Sequence, residues 1–404
     1  MSRRVVITSI GVVSALGCSS EEIVSALKAG RVSFERAPFD RTVWACPVAS
    51  DFNIRNFTGR YKNARYLNRG AQFCVASAMA ALREAGLDAD MRARAGLFVG
   101  TGPNLDIGTE FPEIQDGHLD REDLAALWIL RFLPNTAASA IADLAGVHGE
   151  NLTIGTACSA SLQAVGEAFR RIKHGVLDLA LAGGGDSRLS PGAILAYRKS
   201  QALWTGGEDC SRAYGAFDAT RRGFVPGEGG AFFVLEDLDH ARNRGARIYA
   251  EVCGFGASLD GYNMTAPEPD GTWAAAAVRS ALREAGLEAH KVDVISAHGT
   301  GTPLNDAMEA NLISRVQGEH RPFVLALKSW IGHLAAACGA VELAIGLAAM
   351  ARNHLPEIRN LKEPCAGNIN FVREAKEMPT ETMLLQNFGF GGQNGALVVR
   401  LWRE

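Results

Sequence analysis

The sequence predicts an α/β protein built from two similar halves, and three observations carry that prediction. Strand-like and helix-like segments alternate along the chain, which calls for a mixed or parallel sheet covered by helices. The heptapeptide ALREAGL occurs at Ala81–Leu87 and again at Ala281–Leu287. Each copy is followed by a charged connector, a short strand and a Gly-Thr-Gly, ending at Gly102 and at Gly301. The length of 404 residues exceeds what one core usually carries, so a duplicated unit accounts for it, with halves of 1–250 and 251–404.

Each element has a local signature. The opening MSRRVVITSIGVVSALG runs into β-branched strand text with no cleavage region, so no secretory leader is expected. Ser19-Ser20-Glu21-Glu22 forms a capping box for a helix that stops at Gly30. Leu152–Ile154 is strand-like. From Cys158 to His174, Leu162, Val165, Phe169 and Ile172 share one helical face, and Gly175 supplies the stop. Asp178–Gly185 reads as a buried strand running into a tight turn. The longest near-apolar stretch, Leu334–Ala351, is rich in Ala and Gly and holds Glu342 at its centre, which makes it a buried helix and a poor membrane span.

Composition narrows the function. With 47% hydrophobic and 21% charged residues the chain is not disordered. A net charge of −3 provides no global basic field for nucleic acid or an anionic membrane. The eight cysteines form no CxxC pair, which excludes zinc ribbons and dithiol redox motifs; with no signal peptide a disulfide framework is not expected at this length, and a reducing, cytoplasmic setting is expected. GxxxxGK[ST], GxSxG and HExxH are all missing, against NTPases, lipases and zinc proteases. The glycines of Gly389–Gly395 fail GxGxxG because Asn394 stands where the last glycine belongs. No metal site is expected.

One cysteine stands in an unusual setting. Cys158, in LTIGTACSAS, lies between a strand and the first turn of a helix, where unpaired amides and the helix dipole favour a thiolate. Such a turn exposes the side chain and offers a backbone N–H to an oxyanion. Cys74 and Cys338 lie in helical apolar text and read as core. His298 ends an apolar strand beside a Gly-Thr-Gly-Thr-Pro turn, and His333 follows KSWIG at the start of the helix that contains Glu342. A cysteine with two histidines suits acyl transfer at a thioester better than peptide hydrolysis, since two N–H donors on one carbonyl would stabilise an enolate.

TACSAS, SAHGTGTPLND, LKSWIGHLAAACGAVE and NFGFGGQNGA occur in that order, with GFVPGEGG at Gly223–Gly230 and RIYAEVCGFGASLDGYNMTAP at Arg247–Pro267. Over nearly its whole length the chain resembles the elongating β-ketoacyl-acyl-carrier-protein synthases. The resemblance implies a duplicated, five-layered αβαβα thiolase-like fold, with the nucleophile in the first half and the catalytic histidines in the second. It implies decarboxylative Claisen condensation of an acyl group on Cys158 with a malonyl thioester, in fatty-acid or polyketide-type elongation. His298 and His333 would then drive decarboxylation, Lys328 and Glu342 would support them, and Asp306 and Glu309 would lie behind. Phe390 would gate the acyl pocket, its amide forming the oxyanion hole with that of Cys158. Thr265, Thr300 and Thr302 would touch the pantetheine arm. No cofactor beyond the carrier's phosphopantetheine is implied. The partners would be an acyl carrier protein and a second subunit, in a homodimer or a heterodimer with a related chain.

The carrier protein is acidic, so a local basic patch must attract it. Lys62, Arg65 and Arg69 recur at i, i+3 and i+7, which predicts one helical face, and the resemblance places basic docking residues in this region. A second cysteine in the final glycine-rich loop, as in thiolases, is missing, and the third catalytic position is His333 where initiating synthases have Asn. Some details depart from the family pattern. Ser159 follows the nucleophile where Thr is frequent, Gln393 replaces a usual Thr, and Trp330 and Pro103 are expected at the acyl pocket. The stretch 108–146 looks shortened. These departures leave open a specialised route, such as a polyketide or aryl polyene, or a non-catalytic partner subunit.

Overall fold

The computed structural model describes residues 3–105, 126–205, 207, 209 and 212–403, so residues 108–125 of the divergent stretch lie outside the described residues. Five strands of the main sheet precede residue 240: β1 (Val5–Val13), β2 (Gly96–Gly100), β3 (Asn151–Ile154), β4 (Leu179–Ser187) and β5 (Glu228–Asp237). Five more strands of that sheet follow: β6 (Ala250–Leu259), β7 (Val294–Ser296), β8 (Phe323–Leu325), β9 (Thr382–Gly389) and β10 (Gln393–Leu401). They form one sheet in the order β3-β2-β4-β5-β1-β6-β10-β9-β7-β8. The two runs of five are the same arrangement met at its β1–β6 edge. In each, the two outer pairings are parallel and the two inner ones antiparallel. Only Val5–Ile7 and Ala250–Val252 pair across the junction.

The helices repeat in the same way. After α1 (Ser20–Lys28) come α2 (Arg69–Ala85), α3 (Thr136–Ala145) and α4 (Ala160–Lys173), then α5 (Thr272–Ala285), α6 (Pro303–Gln317) and α7 (Cys338–Ala351). The capping box holds: Ser19 is the N-cap of α1 and its side chain accepts from the Glu22 amide. The two ALREAGL copies end α2 and α5, and each helix stops at a left-handed glycine, Gly86 or Gly286, at φ 62° and ψ 29°.

Period-two burial sorts the strands between layers. On β5, Phe232 and Val234 face a cluster with α2 and α3, while Ala231, Phe233 and Leu235 face α4 and α7. On β10, Leu397 and Val399 face the same central helices, while Ala396 and Val398 face α5 and α6. The layers are therefore α2/α3, sheet, α4/α7, sheet, α5/α6. The three glycines Gly183–Gly185 do not turn the chain as expected; they lie inside β4, which runs on to Ser187. A Cβ on Gly183 would overlap the Ala231 carbonyl, so glycine here admits a neighbouring strand. No helix among the described residues is long and apolar enough to cross a membrane.

Candidate active site

The central helices α4 and α7 each begin at a strained elbow. Ala157 has φ 47° and leads through the 3₁₀ turn Ala157–Ser159 into α4; Ala335 has φ 46° and leads through Ala335–Ala337 into α7. A left-handed alanine costs on the order of 1–3 kcal/mol and persists only where its surroundings enforce it. The first elbow carries Cys158. The second carries Ala336, whose amide donates to Asp186 Oδ2 at 3.1 Å.

The two histidines come from the second half. His298 follows β7, and its backbone N–H and that of Gly299 donate to the Glu309 carboxylate at 2.6 and 2.8 Å. The Gly301 and Phe217 amides donate to Asp306 in the same way, and Asn305 bridges Asp306 and Glu309. Both carboxylates on α6 therefore pin the His298 turn without touching the imidazole. Burial pushes Glu309 up to about 8, with Asp306 adding to the rise and the Gly299 amide opposing it. His333 follows the helical turn Lys328–Ile331 and Gly332, whose φ of 73° reverses the chain.

These segments meet. One side-chain ligand atom each of Cys158, His298 and His333 lies within 4.8 Å of the others, all buried. The imidazoles stand edge to face at 5.6 Å between centroids and 86°. Hydrogen bonds fix both tautomers. Lys328 Nζ donates to His298 Nδ1 at 3.1 Å, and the Ala335 amide donates to His333 Nδ1 at 2.9 Å. Each ring therefore carries its proton on Nε2 and presents a donor. That state is one for binding an oxygen, not for ligating a metal. Burial, reinforced by Lys328, holds both imidazoles well below their ordinary range and so neutral.

Lys328 is fully buried. Desolvation opposes its charge, but Glu342, 2.6 Å away, outweighs that and keeps the ammonium protonated. Asn387 completes the cluster, donating to Glu342 Oε2 at 2.9 Å with His298 Nδ1 at 3.3 Å. Asn387 is absent from the residues expected at the site, although a polar residue inside the apolar text TMLLQNFG is a signal that could have found it. The Asp186–Arg188 pair is a second addition that no motif marks.

Cys158 lines a cavity of about 340 Å³ together with His298, His333, Thr265, Thr300, Thr302, Phe388 and Phe390. Thr300 and Thr302 are joined hydroxyl to hydroxyl at 2.8 Å, and the Phe390 ring is partly exposed. Burial pushes the Cys158 thiol up to about 11, opposed by Lys328, a hydrogen bond from the Phe390 amide and Arg188. The thiolate expected from helix position is therefore corrected: in the closed site desolvation outweighs those opposing effects, and the resting group is a thiol.

Three further expectations change. Trp330 is 1% exposed, donates its indole N–H to the Glu357 carbonyl at 2.8 Å and packs in the central core, away from the Cys158 cavity. Pro103 lines a separate cavity with Arg188. Lys62 and Arg65 lie on the 3₁₀ turn Lys62–Tyr66, and Arg69 opens α2 after the Asn68 cap, so the three do not share one helical face. Lys62 and Arg65 are exposed, whereas Arg69 pairs with the buried Glu228 at 2.9 Å.

Comparison with known proteins agrees with this geometry. The chain matches the beta-ketoacyl synthase N-terminal domain over residues 2–241 and the C-terminal domain over residues 249–362. It is 35% identical to the 3-oxoacyl-[acyl-carrier-protein] synthase 2 of Coxiella burnetii, covering 98% of both chains. A beta-ketoacyl synthase from Burkholderia phymatum superposes with a TM-score of 0.89 at 32% identity, covering 99% of this chain and all of that one. The type II polyketide ketosynthase AntDE:AntF, solved in complex with its acyl-carrier protein, gives 0.84 at 26% identity over the full length of both. The duplicated, five-layered thiolase-like fold expected from the motifs is borne out, and the chain belongs to the beta-ketoacyl synthase family.

Proposed function

We propose that this protein is an elongating β-ketoacyl-acyl-carrier-protein synthase, an acyltransferase whose nucleophile is Cys158 and whose decarboxylating groups are His298 and His333. The observation that carries the reading is the convergence of one thiol and two neutral, Nε2-protonated imidazoles in one cavity. In the first half-reaction the Cys158 sulfur attacks the acyl carbonyl of a carrier-bound thioester. The carbon–sulfur bond to pantetheine breaks, and the thiol proton passes to the departing sulfur. The amides of Cys158 and Phe390 hold the tetrahedral oxyanion.

In the second half-reaction a malonyl thioester places its carbonyl oxygen between the two Nε2–H donors. Loss of CO₂ leaves an enolate whose charge those donors stabilise. The enolate carbon attacks the acyl carbonyl on Cys158, the product leaves as a β-ketoacyl thioester, and the cysteine sulfur regains a proton. Lys328 keeps Nδ1 of His298 in its accepting state, with Glu342 and Asn387 positioning the ammonium. Asp306 and Glu309 position the His298 turn. Thr265, Thr300 and Thr302 line the way in and suit the amides of a pantetheine arm, and the Phe390 ring gates the mouth.

The reading extends to assembly and setting. Residues 1–250 and 251–404 act as two domains, the working unit is a cytoplasmic homodimer, and the carrier docks at exposed Lys62 and Arg65. No cofactor is needed beyond the carrier's phosphopantetheine. A specialised polyketide route is supported by the 34% identity to a putative polyketide beta-ketoacyl synthase of Streptomyces halstedii. Incubation with acyl-carrier protein, followed by intact-mass measurement, tests the reading: an acyl adduct confined to Cys158 supports it, and no adduct with any chain length overturns it in favour of a non-catalytic subunit.

A further inference from the structure

Both imidazoles of the Cys158 cavity use Nε2 as a donor, and each has its other nitrogen, Nδ1, held by two groups. On His298 these are Lys328 Nζ at 3.1 Å and Asn387 Nδ2 at 3.3 Å. On His333 they are the Ala335 amide at 2.9 Å and a side chain not yet placed in the site, Cys338, whose Sγ lies 3.4 Å from the ring nitrogen. Cys338 is the first residue of α7 and is fully buried. The strained elbow at Ala335 thus brings the start of the helix back to the histidine five residues before it.

The direction of that contact is determined. A backbone N–H can only donate, so the Ala335 amide requires Nδ1 to be bare, and Cys338 can then only give its S–H to the same nitrogen. Burial pushes the Cys338 thiol well up, against the pull of Lys328, so the hydrogen stays on sulfur. The rest of His333 is fixed by other means. Its N–H donates to the Val225 carbonyl at 2.7 Å and its carbonyl accepts from the Gly227 amide at 2.9 Å. Its ring lies 4.7 Å from that of Phe224 and 5.6 Å from that of His298, between centroids. None of these contacts distinguishes the ring from the same ring turned by half a revolution about Cβ–Cγ, which exchanges nitrogen for carbon on both edges. The donors on Nδ1 do. They also draw electron density from the ring, which makes Nε2–H the stronger donor as an oxygen opposite it takes up charge.

We infer that Cys338 is a positioning residue for decarboxylation: its thiol donates to Nδ1 of His333, holds the ring with Nε2–H toward the cavity and strengthens that donor for the enolate oxygen. The inference rests on the synthase reading above and adds a residue to that site. Cys338 is then to His333 what Asn387 is to His298. No bond to its sulfur is made or broken during turnover, and it does not touch substrate.

The test measures decarboxylation of malonyl-pantetheine by the full-length protein, as released radiolabelled CO₂, in the wild type, Cys338→Ala and Cys338→Ser. Cys338→Ala should lower kcat roughly fivefold with KM unchanged, the scale of one neutral hydrogen bond. Cys338→Ser, which keeps a donor, should restore most of that loss. Cys338 packs in the central apolar core, where a serine fits no better than an alanine, so a merely structural cysteine would leave the two variants alike. Acylation of Cys158, followed by intact mass, checks the fold, because loading does not call on His333 Nε2. A kcat in Cys338→Ala equal to the wild type, a Cys338→Ser variant as slow as Cys338→Ala, or a parallel loss of acylation in both overturns the inference and leaves the synthase reading intact. No CO₂ from the wild type overturns the synthase reading, and the inference with it.

Discussion

Lys328 Nζ lies 3.1 Å from His298 Nδ1, and neither side chain reaches solvent. An ammonium with no water around it would ordinarily lose its proton; here Glu342 keeps it charged, and the charge in turn dictates which nitrogen of His298 carries hydrogen. Breaking that pair should be expensive. Lys328→Met, which leaves Glu342 uncompensated, should destabilise the protein by about 3–5 kcal/mol, whereas Lys328→Met/Glu342→Gln should recover much of the loss. Denaturant unfolding reads this. Malonyl decarboxylation should stay impaired in both variants, because neither restores the donor to His298.

The proposed nucleophile should be separable from the proposed decarboxylating pair. Cys158→Ala should lose acylation and condensation and keep decarboxylation of malonyl-carrier protein. His298→Ala and His333→Ala should each still acylate Cys158 yet lose decarboxylation by about 10²–10³-fold, the scale of one oxyanion contact. Single-turnover assays with radiolabelled malonyl thioester separate the steps, and a histidine variant that decarboxylates at the wild-type rate would show that ring to be structural.

Labelling follows the thiol. With Cys158 raised to about 11, its alkylation by iodoacetamide should climb about tenfold per unit between pH 7 and 10, as the thiolate fraction grows. Cys74 and Cys338, fully buried, should lag behind it throughout. Peptide mapping after timed quenching measures all three, and equal labelling would contradict the assignment.

The imidazoles predict an acid limb. Both histidines titrate in the folded protein well below 6.5, whereas in the unfolded chain they titrate near 6.5. The unfolded state therefore binds more protons once the pH falls below 6.5, and stability is lost progressively from there down through the folded values. Urea midpoints between pH 7 and 5 should fall. In the His298→Ala/His333→Ala variant the slope should flatten.

Two surface and core substitutions test the corrected placements. Trp330→Ala should cost about 3–5 kcal/mol as a core deletion and leave the acyl-chain profile unchanged. Lys62→Glu/Arg65→Glu should raise KM for acyl-carrier protein, in a salt-dependent manner, and leave turnover of a free pantetheine thioester unaltered. Equal damage to both substrates would show that the substitutions act on the fold.

Much of this site is legible in the amino-acid sequence because its parts sit at punctuation marks. Cys158 stands between strand and helix, His298 before Gly-Thr-Gly, His333 after Gly332, and the repeated ALREAGL announces the duplication. Pairwise placement is not legible there. Trp330 sits two residues from Lys328, yet the helical turn Lys328–Ile331 sends the indole into the core. Lys62, Arg65 and Arg69 have helical spacing, but Asn68 caps α2 between them, and an Asn ahead of RGAQF is a stop-and-start signal that outranks the spacing. Arg188 is hidden in GDSRL, text that reads as a turn, because its value comes from the strand end, Gly102 and Asp186 meeting in space.

The twin elbows at Ala157 and Ala335 have a consequence for how the repeats can diverge. Neither repeat holds the whole Cys158–His298–His333 cluster: the first contributes Cys158, the second both imidazoles, and Ala336 occupies the place that mirrors Cys158. Selection on turnover therefore acts on the alignment of one repeat against the other, through the shared wall of α4 and α7. A substitution in that wall, far from substrate, should therefore change catalysis by sliding one donor set past the other, much as a vernier reads a displacement too small to see on either scale alone.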